Sequence, residues 1–274
     1  MGEDQLQERI SAIVHQVKRE MKEDVEEVIH AIKQVRKDGL PTPVLSVCGH
    51  GTQEIRFTKY FAYFLDATQF HGMGDRVLKA AFEPEARQAG LALNWYENCE
   101  VYSEYPLGYL YGKHSYVDIL IKGQGFVLSV EQKLFSGESN DTESDVSQLQ
   151  KYSDALHMNE QLKNLKKVNI YLTPNGRLPG NAKDWRALSH DDISQRLIRI
   201  IDDPFLSDIA RGNVMRLLFD FNFGPQSKTV ETIQRIEKNA QRIIDEEYGV
   251  ASMSRLLNDA AKHDMLLDLI KRGV

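Results

Sequence analysis

Residues 115–152 read SYVDILIKGQGFVLSVEQKLFSGESNDTESDVSQLQKY. Two apolar runs of strand length lie in this stretch, at 116–121 and 126–134, and each holds charge where burial is expected. β-Branched and large apolar residues dominate both, which predicts strands. Lys122-Gly123-Gln124-Gly125 separates them and reads as a hairpin turn. Asp118 interrupts the first run. Glu131 and Lys133 lie two apart in the second, so they share one face of the strand. Neighbouring strands lie ~4.8 Å apart, so a hairpin closing at 123–125 allows Asp118 to lie close to Glu131.

Two carboxylates brought together repel, and one is pushed to a raised pKa unless a cation intervenes. A hard divalent ion takes carboxylate and water oxygens and keeps open positions. A lysine beside it orients or deprotonates a water, or offsets charge developing on a phosphate. The combination suits metal-assisted hydrolysis of a phosphodiester. A Glu-x-Lys pair alone is weak, because edge strands often carry a salt bridge of this kind. Asp118 ahead of the hairpin adds weight. So does the predicted helix over 143–157, which sets Gln148 and Tyr152 four apart on one face.

Asp118, the hairpin, Glu131-Gln132-Lys133 and then Gln148-x-x-x-Tyr152 together resemble the PD-(D/E)XK nuclease superfamily. The closer resemblance is to a bacterial branch with a Gln-x-x-x-Tyr helix after the Glu-x-Lys strand, on Lys133-Leu134-Phe135-Ser136-Gly137-Glu138 and Gln148-Leu149-Gln150-Lys151-Tyr152. The superfamily's first motif is Pro-Asp, whereas Val117 precedes Asp118 here. That branch also carries a Thr-Glu helix start followed by His-Gly-x-Gly-Asp. Thr52-Gln53-Glu54, with one residue inserted, and His71-Gly72-Met73-Gly74-Asp75 are similar to these. The likeness covers roughly residues 50–200.

The resemblance implies an α/β fold of the restriction-endonuclease-like type, a mixed central sheet flanked by helices, with extra N- and C-terminal helices. It implies that Asp118 and Glu131 bind Mg²⁺, with the backbone carbonyl of Gln132 as a third oxygen. Glu54 is then a ligand or holds a metal-bound water. Lys133 positions or activates the attacking water, Gln148 steadies Lys133 or the phosphate, and Tyr152 supports the site by hydrogen bonding. Mn²⁺ is expected to substitute, since it also accepts oxygen ligands. The implied activity is a nuclease, with DNA favoured over RNA as partner and a role in anti-phage defence by analogy. The other reading is a non-cleaving nucleic-acid- or protein-binding subunit on the same fold, since fold alone does not fix function.

Composition is compatible. Of the 274 residues, 42% are hydrophobic and 27% charged, which is ordinary for a globular chain. A net charge of −6 argues against coating nucleic acid over the whole surface, but leaves room for a local basic cleft. The two cysteines, Cys48 and Cys99, suggest neither a disulfide framework nor a zinc site and fit a reducing cytoplasm. No apolar run approaches membrane-spanning length, and no membrane partner is expected.

Around the central stretch we expect a domain over 44–224, an N-terminal helical region over 1–40 and a C-terminal helical extension over 225–274. Leu6, Ile10, Ile13, Val14, Val17, Met21, Val25, Val28, Ile29, Ile32 and Val35 recur at helical spacing. That helix is expected to pack on the C-terminal helices, on a partner protein or a second copy, or both. Thr52 is the expected N-cap of a helix to Leu65, and Asp75 of a helix over 76–89. His71 is expected to shape its loop. Residues 91–113 read as strand, and their aromatics as half-buried strand residues. Lys113 and His114 are candidate phosphate contacts. Residues 166–173 read as a further strand, Ser189 as the N-cap of a helix through Ile201, and 205–223, 227–248 and 252–271 as three more helices.

Overall fold

The computed structural model describes residues 3–38, 44–110, 113–134, 143–178, 182–223, 229–245 and 250–261. Among them five strands form one sheet, β1 (Glu100–Leu110), β2 (Lys113–Gly123), β3 (Phe126–Gln132), β4 (Lys166–Thr173) and β5 (Trp185–Ser189), in spatial order β1-β2-β3-β4-β5. The first three are antiparallel neighbours, and β3, β4 and β5 run parallel. The sheet is therefore mixed, with helices on both sides, as the fold class expected requires.

The β2–β3 hairpin closes as its glycines direct. Gly123 pairs with Phe126, leaving Gln124 and Gly125 as the turn, and Gly125 takes φ +79°. That angle is easy for glycine and strained for a residue with a Cβ. All seven residues of β3 are buried, as a strand covered on both faces should be. Parallel pairing to β4 needs a crossover, supplied by α5 (Glu143–Met158). Ala155 and Leu156 of α5 pack with Leu107, Val117, Leu120 and Val127 of the strands.

α3 (Glu54–Leu65), α4 (Arg76–Gln88), α6 (His190–Ile201) and α7 (Asp208–Phe223) form a second cluster, beside the short α2 (Val44–Val47). Phe57 and Phe61 of α3 meet the Phe221 ring edge to face, at centroid distances of 4.9 and 5.1 Å. Arg196 clasps Glu85 with two hydrogen bonds of 2.7 and 3.0 Å, tying α6 to α4. α6 starts as predicted. The Ser189 hydroxyl accepts from the Asp192 backbone N–H, and the Asp192 carboxylate accepts from the Ser189 N–H, a capping box.

Three local expectations are corrected. Thr52 is not the cap of α3. Gln53 holds that position without a side-chain hydrogen bond. Asp75 stands at the N-cap of α4, but its side chain makes no capping bond. Strand structure begins at Glu100 rather than near 91, because the preceding segment is held on α4. The Trp95 indole donates to Glu83 at 2.8 Å, and Asn98 turns the chain with φ +55°. The linker at 39–43, the break at 224–225, residues 135–138 and residues 262–271 lie outside the described residues.

The chain divides into two units, Thr42–Ser227, and Met1–Pro41 together with Lys228–Val274. In the second, α1 (Glu3–Asp38) packs against α8 (Thr229–Asp245) and α9 (Val250–Ala261). Val25, Ile29 and Ile32 of α1 are buried there. Ile13, Val14 and Val17 on the same helix are 60%, 39% and 36% exposed.

Candidate active site

The site forms where the pairing of β2 with β3 ends, beside α3 and α5. Ile119 pairs with Val130, so the register carried one step further sets Asp118 against Glu131. The Asp118 carboxylate accepts the Gln132 backbone N–H at 2.7 Å. That side chain thus takes a bond that the next strand residue would otherwise make. Beyond β3 the Lys133 N–H donates to the Leu172 carbonyl at 2.8 Å, which continues the pairing to β4 and fixes the backbone under the lysine.

Lys133 Nζ stands between two carboxylates. It donates to Glu131 at 2.9 Å and to Glu54, in the first turn of α3, at 3.3 Å. Glu54 also accepts the Leu134 N–H at 3.3 Å. From α5, Gln148 Nε2 donates to Glu131 at 3.3 Å and to the Tyr152 hydroxyl oxygen at 2.7 Å. Four-residue helical spacing puts Gln148 and Tyr152 on one face, and β3 meets that face through Glu131.

The electrostatics are those of crowded acids with one ammonium. Burial pushes the Asp118 carboxyl up to about 6, against the Gln132 N–H and Lys133, which pull it down. Burial and then the Asp118 charge hold Glu131 well above the usual carboxylate range. Burial disfavours the Lys133 ammonium, but Glu131 and Glu54 outweigh it and keep the amine protonated. Tyr152 is pushed up to about 12 by burial and by Glu131. Glu131 Oε1 takes the bonds from Lys133 and Gln148, while Glu131 Oε2 is buried with no hydrogen-bond partner. A buried carboxylate oxygen left unmatched costs free energy unless it meets a cation or a proton.

A sequence profile of the PD-(D/E)XK nuclease superfamily matches residues 43–243. The chain belongs to that superfamily. No curated protein and no solved structure matches it. PD-(D/E)XK nucleases act on nucleic acid and typically use divalent metal ions. The residues of this nuclease fit such an ion, because an unpartnered, buried carboxylate oxygen on Glu131 stands beside a second acid. Among the described residues no group of three or more His, Cys, Asp or Glu forms a ready-made metal cluster.

Six of the residues singled out from the sequence come together in this nuclease, namely Glu54, Asp118, Glu131, Lys133, Gln148 and Tyr152. Gln132 contributes its backbone here, and both polar atoms of its side chain are buried without partners. His114 lies out on β2 against the Tyr109 ring, and the Lys113 side chain lies outside the described residues. His71 shapes its loop. Its Nδ1 accepts the Met73 N–H at 3.1 Å, so Nε2 carries the proton, 2.9 Å from the Asp66 carbonyl.

Two contributors escaped the sequence reading. Glu104 lies in β1 between Ser103 and Tyr105, which pair with Ile119 and Val117 on either side of Asp118; it takes φ +54°, and its charge raises the Asp118 pKa. Trp185 donates from its indole to the Leu149 carbonyl at 3.1 Å and to the Ser153 hydroxyl at 3.0 Å, anchoring the middle of α5. A tryptophan at a strand start was the available signal for the second. Nothing in the local sequence marks the first. No described helix is long and apolar enough to cross a membrane.

Proposed function

We propose that this chain is a Mg²⁺-dependent nuclease that hydrolyses phosphodiester bonds in DNA, acts in the cytoplasm and serves in anti-phage defence. The observation that carries the catalytic part is the unpartnered Glu131 Oε2, buried beside Asp118 and held in place through Lys133 and Gln148. Asp118, Glu131 and the Gln132 backbone carbonyl would hold the ion, which supplies charge stabilisation at the phosphate and acidifies a water. Mn²⁺ would substitute.

Lys133 sets a fixed ammonium where a phosphate's negative charge grows during attack. Its bonds to Glu131 and Glu54 mean that little reorganisation is needed at that moment. Gln148 keeps Glu131 turned into the site and is itself held by Tyr152. Glu54 positions Lys133 and offers a second oxygen for holding a water. Lys113 and His114 are assigned to phosphate contact. DNA is favoured over RNA through the company that this superfamily keeps rather than through any group in the site.

The test is cleavage of labelled plasmid and linear DNA, with RNA in parallel, in Mg²⁺ or Mn²⁺. The expected result is cutting that needs the ion and falls by at least ~10²-fold in Glu131→Ala and Lys133→Ala. Neither cutting nor a metal-induced rise in melting temperature would instead support a non-cleaving binding subunit. Cutting of RNA alone would overturn the DNA assignment.

A further inference from the structure

In the unit built from both ends of the chain, α8 and α9 enclose a cavity of about 310 Å³. Its polar lining is Arg235, Asn239 and Arg242 from α8, and Ser252 and Arg255 from α9, over an aliphatic floor. No described carboxylate lines it. In a chain of net charge −6 that is a marked local concentration of cations. The spacing explains how it arises. Arg235, Asn239 and Arg242 follow at four and three residues, one stripe of a helix, and Ser252 and Arg255 are three apart on the facing helix. All three arginines are exposed, while Ile236, Ile243 and Leu256 are buried.

We propose that this cationic groove grips the phosphate backbone of a nucleic-acid strand. The proposal rests on the nuclease reading and gives the terminal unit a part in it. Guanidinium is the side chain that best matches a phosphate oxygen pair, through its planar fork of donors. Arg235 and Arg242 are seven residues apart, ~10.5 Å along the helix axis, so the groove offers its cations along a line, as a strand of phosphates does. The described lining holds no aromatic ring on which a free base would stack, which favours a backbone over a mononucleotide.

The experiment is fluorescence anisotropy with labelled single- and double-stranded oligonucleotides, in EDTA to prevent cutting, over a series of salt concentrations. Full-length wild type is compared with Arg235→Ala/Arg242→Ala/Arg255→Ala and with the corresponding triple lysine variant. Melting curves confirm that each is folded, and single alanine variants replace the triple if it is not. The expected result is at least ~10-fold weaker binding by the alanine variant, a slope of log K against log salt shallower by ~2–3, and partial recovery with lysine. Unchanged affinity and slope would overturn the proposal, and metal-dependent cutting by the same variant would show that the nuclease reading survives. Stabilisation of wild type alone by pyrophosphate or a mononucleotide, with oligonucleotide affinity unchanged, would also overturn it and assign the groove to a small ligand. Wild type that neither binds nor cuts would remove both readings.

Discussion

Glu131 is 2% exposed, with one oxygen tied to Lys133 and Gln148 and the other left over. Glu131→Gln keeps the shape and removes the charge. Wild type is expected to rise in melting temperature on adding Mg²⁺, and Glu131→Gln to lose most of that rise. Differential scanning fluorimetry reads both. His190 supplies a separate test. It stacks on Phe57 and meets Phe221, its Nε2 has no partner, and burial pulls its pKa down to about 3. The unfolded chain therefore takes up a proton near 6.5 that the native chain refuses, so this residue removes stability as pH falls from about 6.5 toward 3. Asp118 and Asp220, raised to about 6, act with the opposite sign. His190→Phe is expected to lose less stability than wild type between pH 7 and pH 5, by ~1–2 kcal/mol in urea melts. At this scale the site was legible wherever a charge broke an apolar run, as at Asp118, Glu131 and Lys133. Glu104 was not, because Tyr102-Ser103-Glu104-Tyr105 reads as an ordinary half-exposed strand. Its place opposite Asp118 is set by the pairing of β1 with β2, which no local pattern reports.

Among the elements, α5 decides whether Gln148 and Tyr152 reach β3, and Trp185 pins it. Trp185→Phe keeps the packing against Leu149 and Tyr171 and deletes both indole hydrogen bonds. The expected cost is ~1–3 kcal/mol of stability, together with a fall in cleavage rate at temperatures where the protein is still fully folded. Circular dichroism melts alongside cleavage rates separate the two effects. The hairpin and α6 were legible because Gly-x-Gly and Ser-x-x-Asp carry their geometry locally. The starts of α3 and β1 were not. The Glu54 carboxylate turns across to Lys133 and Leu134, and Trp95 holds on to Glu83, so tertiary partners override the local signals there.

For the whole molecule, the apolar stripe of α1 told the reader that a face needed cover, but not what covered it. In the structure α8 and α9 cover Val25, Ile29 and Ile32, and the stripe runs on uncovered through Ile13, Val14 and Val17. That stretch is where the expected contact with a second copy or a partner protein would fall. Ile13→Ser/Val14→Ser/Val17→Ser is expected to lower the solution mass toward that of one chain, about 31.3 kDa, in light scattering, without changing the melting of the other unit. The pairing of the two ends also has a consequence in time. During synthesis α1 emerges some 190 residues before α8 and α9 arrive, a long loop to close. Throughout that interval Val25, Ile29 and Ile32 are bare. A chain that stops short of α8 therefore keeps an apolar helical face open to water, which makes it fit for capture by a chaperone or for degradation.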